Sequence, residues 1–417
     1  MKRRDFLVSA AIGAAGMARA QRAQAPNPAA VPDTIKTLRP MTAGIQPISA
    51  GERQDRIEKA RRLMRDNQLG AIVMESGSSM FYFTGVRRPA DDRLFALVLP
   101  AKGEPAWIVP AVTPQIPPGN ADVRAYVAGA DDPYASLAGA LRDRGAGSGR
   151  VGIEERVRFA VFDGLRHASP SHEFVSADPV TVGCRVIKSP AELALMQRAN
   201  DITIAAYQAA FATLHEGMTQ AELRGTIAAA YQALGVRGEA MVSFGKYTAF
   251  PHGSIEEQTL KEGDLVLVDD GCTVEGYQSD ITRTRIFGHP TQRQKDVWAL
   301  ERKAQDAALA AAKPGATCES VDAAARKVIT DAGFGPGYKV PGLPHRTGHG
   351  IGLDGHEWTY LVKGNQTRLQ PGMCFSDEPM IAIYGEFGIR LEDCMYITES
   401  GARTFSKQSP AIDQPFG

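Results

Sequence analysis

The stretch from Val266 to Arg285 constrains this chain more than any other. It carries two carboxylates, Asp269 and Asp280, each in or beside an apolar, β-branched run of the kind that forms buried strands. Fully extended, the intervening chain would hold them roughly 35 Å apart. Gly271 and Gly276 can turn it and bring the second strand back beside the first, so that the two acids meet. Buried carboxylates that meet repel unless a cation or a shared proton lies between them. A plainer reading, in which Asp269-Asp270-Gly271 is only a turn and Asp280 only a cap, stays open at this point.

The pattern then recurs. Glu378 and Glu392 sit in Phe375-Ser376-Asp377-Glu378-Pro379 and Ile389-Arg390-Leu391-Glu392-Asp393, with Gly385 and Gly388 between them to turn the chain. Upstream of the first pair, Gly217-Met218-Thr219-Gln220-Ala221-Glu222 opens a helix that runs to about Leu234, preceded by a long helix from Ala191 to about His215. Upstream of the second pair, Gly315-Ala316-Thr317-Cys318-Glu319-Ser320 opens another, ending near Gly333. This half of the chain therefore reads as duplicated, each copy presenting a two-carboxylate hairpin to a common centre. Chance likeness of two helix starts is the alternative.

Between the second copy's helix and its hairpin lies His345-Arg346-Thr347-Gly348-His349-Gly350-Ile351-Gly352-Leu353, followed by His356-Glu357. Three of the chain's eight histidines are concentrated there, among glycines that let the backbone approach a site closely. A further one, His252, follows Phe250-Pro251. Any single histidine is more often structural; the clustering points to a site. Four carboxylates with one imidazole form a hard, oxygen-rich set suited to divalent ions such as manganese, cobalt, zinc or iron. Two such ions can hold a bridging hydroxide as nucleophile while polarising a carbonyl, which is amide hydrolysis chemistry.

Asp-x-Gly with a second Asp eleven residues on, Ser-Asp-x-Thr-Arg, Gly-His-Gly-Ile-Gly-Leu, Glu-Pro and Arg-x-Glu-Asp, in that order from about Arg185 to Ala402, resemble the pita-bread metallopeptidases: methionine aminopeptidase, prolidase, Xaa-Pro aminopeptidase and the metal-free creatinase. The earlier Tyr82-Phe83-Thr84-Gly85 resembles the creatinase/prolidase amino-terminal domain, which methionine aminopeptidases lack. The resemblance implies a two-domain α/β chain, with a creatinase/prolidase-like α/β domain followed by a duplicated α+β pita-bread catalytic domain. It implies two divalent metal ions, manganese foremost, and hydrolysis of the Xaa-Pro peptide bond by an aminopeptidase or a dipeptidase. Asp269 would then be a terminal metal ligand, Asp280 and Glu392 bridging ligands, and His349 with Glu378 the ligands of the second metal. Glu378 would also shuttle protons, and His356 would hydrogen-bond the scissile carbonyl. His252 and His345 would line the substrate pocket, and Arg390 would support the ligands. A proline-containing peptide is the implied partner and a homodimer the implied assembly. Two departures, Trp358-Thr359 after His356-Glu357 and Asp270 at a position usually small and apolar, bear on the substrate pocket. A small-molecule hydrolase or lyase of the same fold, or a non-catalytic peptide-binding relative, is the competing reading.

The rest of the chain fits this organisation. A length of 417 residues accommodates two cores. With 47 basic and 47 acidic residues there is no net field to gather nucleic acid or an anionic membrane. Residues 1–25 read as a signal peptide of twin-arginine type, from Arg3-Arg4-Asp5-Phe6-Leu7 and an apolar run too short to span a bilayer, with no stable membrane span and a periplasmic or secreted location. Residues 26–48 read as a linker, 49–183 as the first domain, opened by a capping-box pattern at Ser49 and Glu52, and 184–417 as the catalytic domain. The loop with Arg87, Arg88, Asp91, Asp92 and Arg93 reads as solvated, or as reaching an active site in a partner subunit. Five cysteines do not make a disulfide framework. Cys374 and Cys394 share strand parity with Glu378 and Glu392 but lie diagonal to one another, which argues against a bridge.

Overall fold

The computed structural model describes residues 32–89, 91–112 and 122–417, so the signal-peptide segment lies outside the described residues. The first unit is a six-stranded sheet with Leu69–Glu75 inside it, antiparallel to Ala96–Pro100 and parallel to Gly149–Ile153. Leu69–Glu75 is an almost unbroken apolar run because both of its faces are covered. Ala71 and Val73 pack toward Leu137, Leu141, Val161 and Leu165 on one face, and Ile72 and Met74 join Met64 and Val180 on the other. Ser49 caps the helix Ala50–Asp66 by accepting from the Glu52 backbone N–H. The reciprocal half of the expected capping box is absent, because the Glu52 carboxylate instead takes Arg56 and the Ser189 hydroxyl.

The second unit repeats a design twice. Capping boxes at Ser189/Glu192 and Thr219/Glu222 start the helices Pro190–Phe211 and Gln220–Ala233. Another at Thr291/Gln294 and a Thr317 cap start Gln292–Ala311 and Cys318–Asp331. Equivalent loops tie each copy together: Gly217 N–H donates to Leu260 C=O in the first, and Gly315 N–H to Leu369 C=O in the second. Each copy then enters its sheet, Leu265–Asp269 against Arg283–Ile286, and Cys374–Asp377 against Asp393–Thr398. The sheets meet where Glu392 N–H donates to Thr282 C=O and Thr284 Oγ1 to Arg390 C=O.

Three expectations need correction. The described part of the expected linker is not free: Asp33–Lys36 is a short helix with Ile35 buried, and Met41 N–H donates to Leu234 C=O of the second unit. The chain between Asp269 and Asp280 does not turn back directly but makes a subsidiary hairpin, Cys272–Val274 with Tyr277–Gln278, turned at Glu275 and Gly276 in left-handed conformations. Gly388 is not a turn residue. It lies within Phe387–Arg390, where an added Cβ would stand 2.5 Å from the Thr248 carbonyl oxygen, so a close strand approach explains the glycine. All five cysteines are free and buried, with Cys374 opposite Tyr396 and Cys394 opposite Ser376. Among the described residues no helix is long and apolar enough to cross a membrane.

Candidate metal centre and its cleft

Asp269 closes its strand, and Asp280 lies in the segment leading to Arg283–Ile286. Asp377 faces Asp393 in an antiparallel pair, so Glu378, just after Asp377, and Glu392, just before Asp393, emerge side by side at the same end of the paired strands. His349 is the middle residue of Gly348–Gly350, a strand that Gly350 joins to Phe375. The ligand atoms of Asp269, Asp280 and Glu392 lie within 4.8 Å of one another, as do those of His349, Glu378 and Glu392. Glu392 belongs to both sets. Asp280, His349 and His356 form a third.

The hydrogen bonds around these groups fix their roles. His349 Nδ1 is 3.0 Å from the Gly350 carbonyl oxygen, so it carries the proton, and Nε2 turns its lone pair toward Glu378 Oε1 at 3.3 Å and Asp280 Oδ2 at 3.6 Å. Thr282 Oγ1 stands 2.7 Å from Asp269 Oδ1 and 2.6 Å from Glu392 Oε2, yet one hydroxyl proton serves only one of them. Glu392 Oε1 is buried with no hydrogen-bond partner among the described residues. Arg390 pairs with Asp269 and donates to Thr282 Oγ1 at 3.0 Å and to the carbonyl of Pro251, beside His252, at 3.0 Å. Among the described residues no other arginine or lysine forms an ion pair with any of the four carboxylates, and Arg390 reaches only Asp269.

Electrostatics follow from that shortage of positive charge. Burial, then the neighbouring Asp269, push Asp280 well above the usual carboxylate range; burial, then Asp280, do the same to Glu392. Burial raises Glu378 to about 7 against the opposing pull of Arg390. Burial, then His356, hold His349 well below the usual imidazole range. Facing lone pairs, an orphaned buried oxygen and a doubly claimed hydroxyl are what a site built for divalent cations presents without them, so these residues fit two such ions.

All nine residues singled out in the sequence line one cleft of about 620 Å³. His356 lies against His349 with ring centroids 4.0 Å apart and the planes tilted by 51°, and its pKa is lowered by burial, then by Arg346. His345 is lowered to about 3 by burial, then by Arg390; its Nδ1 meets the Arg346 carbonyl at 2.7 Å and its Nε2 has no partner. His252 is exposed at the cleft wall. The described residues of the 87–93 loop do not line this cleft; Arg87 covers the Phe81 ring and Asp91 ties Arg88 to Arg93.

Sequence reasoning missed Arg346. Its guanidinium meets the His356 ring at 3.2 Å and covers Tyr360 at 4.8 Å; among the described residues no carboxylate bonds it and its buried Nε has no hydrogen-bond partner. Its place within the His345–Leu353 run was the available sign. Asp270, noticed only as a departure, also lines the cleft.

Comparison with known proteins agrees with this geometry. Residues 194–399 match the profile of metallopeptidase family M24, and residues 56–187 that of the creatinase/prolidase N-terminal domain. An Xaa-Pro dipeptidase of Lactobacillus delbrueckii subsp. lactis is 32% identical over 367 residues, 85% of this chain and 98% of that protein. The crystal structure of dipeptidase PepE from Mycobacterium ulcerans superposes with a TM-score of 0.79 at 33% identity, covering 88% of this chain and 99% of that one. A recombinant prolidase from Thermococcus sibiricus gives 0.78 at 28% identity, covering 85% and 96%.

Proposed function

The chain belongs to metallopeptidase family M24, a metal-dependent hydrolase family, and from that premise we propose that it hydrolyses the Xaa-Pro bond of dipeptides. The observation that carries this reading is the Arg346 guanidinium, which has no carboxylate partner among the described residues and stands in the same cleft as two ligand sets that share Glu392. An arginine in that position receives the free carboxylate of a carboxy-terminal proline, which a longer peptide does not present there.

In this reading Asp269, Asp280 and Glu392 would hold one divalent cation, and His349, Glu378 and Glu392 the other. Manganese is the proposed occupant, on the hardness of the donor set. Bound cations supply Lewis acidity toward the scissile carbonyl and acidify water. The chain's own residues do the rest. His356, exposed on one edge, donates to the carbonyl oxygen as charge develops there. Glu378, buried at the edge of the ligand set, takes a proton and returns it to the proline nitrogen as the bond breaks. His345 and His252 shape the proline side, and Arg390 holds Asp269 and the His252 loop together.

The test offers Leu-Pro and Leu-Pro-Gly to metal-loaded protein, with manganese, cobalt and zinc in turn. Release of leucine from Leu-Pro alone is expected. Cleavage confined to the tripeptide would assign an aminopeptidase, and cleavage of neither by protein holding metal would favour the small-molecule reading. We further propose a homodimer, and export directed by residues 1–25 on the strength of their sequence; sedimentation and amino-terminal sequencing of the exported protein test these.

A further inference from the structure

A second cavity, of about 710 Å³, opens off the cleft and meets it at Asp270, Asp280 and His356. Its remaining walls come from elsewhere, including Gln232, Arg237, Glu239 and Gln278. Arg346 lines only the first cleft. If that guanidinium takes the proline carboxylate, as the Xaa-Pro reading on which this inference rests requires, the amino-side residue points away from it, toward this second space.

Asp270 stands in the shared wall. Its φ of +99° is in a region that side chains other than glycine rarely adopt, and the backbone is kept there by bonds from Tyr207 Oη and Ile281 N–H to its carbonyl, at 3.0 Å each. Strain of that kind persists where the surroundings impose it, and it clusters at ligand clamps. The side chain is fixed as well, with Oδ2 accepting from Met241 N–H at 2.9 Å. No lysine or arginine forms an ion pair with it among the described residues. Further out, Arg237 and Glu239 are both exposed. Arg390 acts on Asp270 only through space, while Asp269 and Glu239 add negative charge beside it, so the wall around Asp270 is acidic on balance.

We propose that the second cavity receives the side chain of the residue preceding proline, and that Asp270 makes a cationic side chain, lysine or arginine, its preferred occupant. The decisive comparison is Lys-Pro against norleucine-Pro, which has nearly the same shape without the charge, at about pH 8 where both ammonium and carboxylate are ionised. The expected kcat/KM ratio is about tenfold in favour of Lys-Pro, the scale of one charge-assisted contact. Asp270→Asn should bring that ratio to about one, whatever it does to the absolute rates. A ratio near one in the wild type, or a tenfold ratio that survives Asp270→Asn, overturns the inference while leaving the Xaa-Pro reading intact. Failure to cleave either dipeptide overturns both.

Discussion

Glu392 is the residue on which the two ligand sets depend. Replacing it with glutamine removes a charge from both, so Glu392→Gln should reduce turnover of Leu-Pro by at least about a thousandfold and lower bound metal, read by elemental analysis on protein whose circular dichroism is unchanged. Asp280→Asn should act alike, because its carboxylate lies within reach of Asp269, Glu392 and His349. Retained turnover in either variant would remove the shared-ligand arrangement. The five candidate ligands were legible in the sequence because each sits in a motif whose neighbours also have work to do: Thr282 beside Asp280, Ser376 beside Glu378, Gly350 beside His349. Arg346 was not, since nothing in its immediate neighbours says that its guanidinium will lack a carboxylate. That depends on Tyr360 and His356, brought alongside by the strand Glu357–Leu361.

At the scale of elements, the loop that carries His356 is held by a buried ionic network. Glu357 takes Arg185 and Lys188, the latter at 2.8 Å, while Asp354 takes Arg185 at 2.6 Å and the Ser78 hydroxyl at 2.6 Å. Ser78 belongs to the first unit and Arg185 ends the helix Asp178–Arg185, so the network joins the two units at the residue next to His356. Glu357→Gln should destabilise the protein by about 3–5 kcal/mol, as expected when one partner of a buried pair is lost, measured by urea unfolding. Lys188 and Arg185 hold Glu357 near a pKa of about 2 against the penalty of burial. A carboxylate depressed in the folded state lends stability that is complete above its unfolded value and disappears as pH falls through its folded one. The wild type should therefore lose stability between about pH 4.5 and 2, and Glu357→Gln should lose less over that window. Only the His356-Glu357 pair was visible in the sequence. Its partners are 169 and 172 residues away, beyond any periodicity. The same limit misplaced Gly388, whose reason is the backbone of Thr248 across the fold.

Across the whole molecule, the duplication was readable from two helix starts, and the paired loops at Gly217 and Gly315 give it a structural counterpart. What periodicity could not supply was the register that sets Glu378 beside Glu392, or the strand order that brings both sheets to one centre. Because the candidate ligand sets draw on both halves, chelation should lower the melting temperature and added divalent ion restore it. At a hundredfold excess over Kd the stabilisation is about 2.7 kcal/mol. Protons compete for the same oxygens: with Glu378 near 7, apparent metal affinity should fall as pH drops below about 7, followed by isothermal titration at several pH values. The measurement closest to the central claim is the number of manganese ions retained per chain after gel filtration, taken together with Leu-Pro hydrolysis on the same sample. The account predicts two ions per chain and activity that disappears when they are stripped; full activity with one ion, or with none, would contradict it.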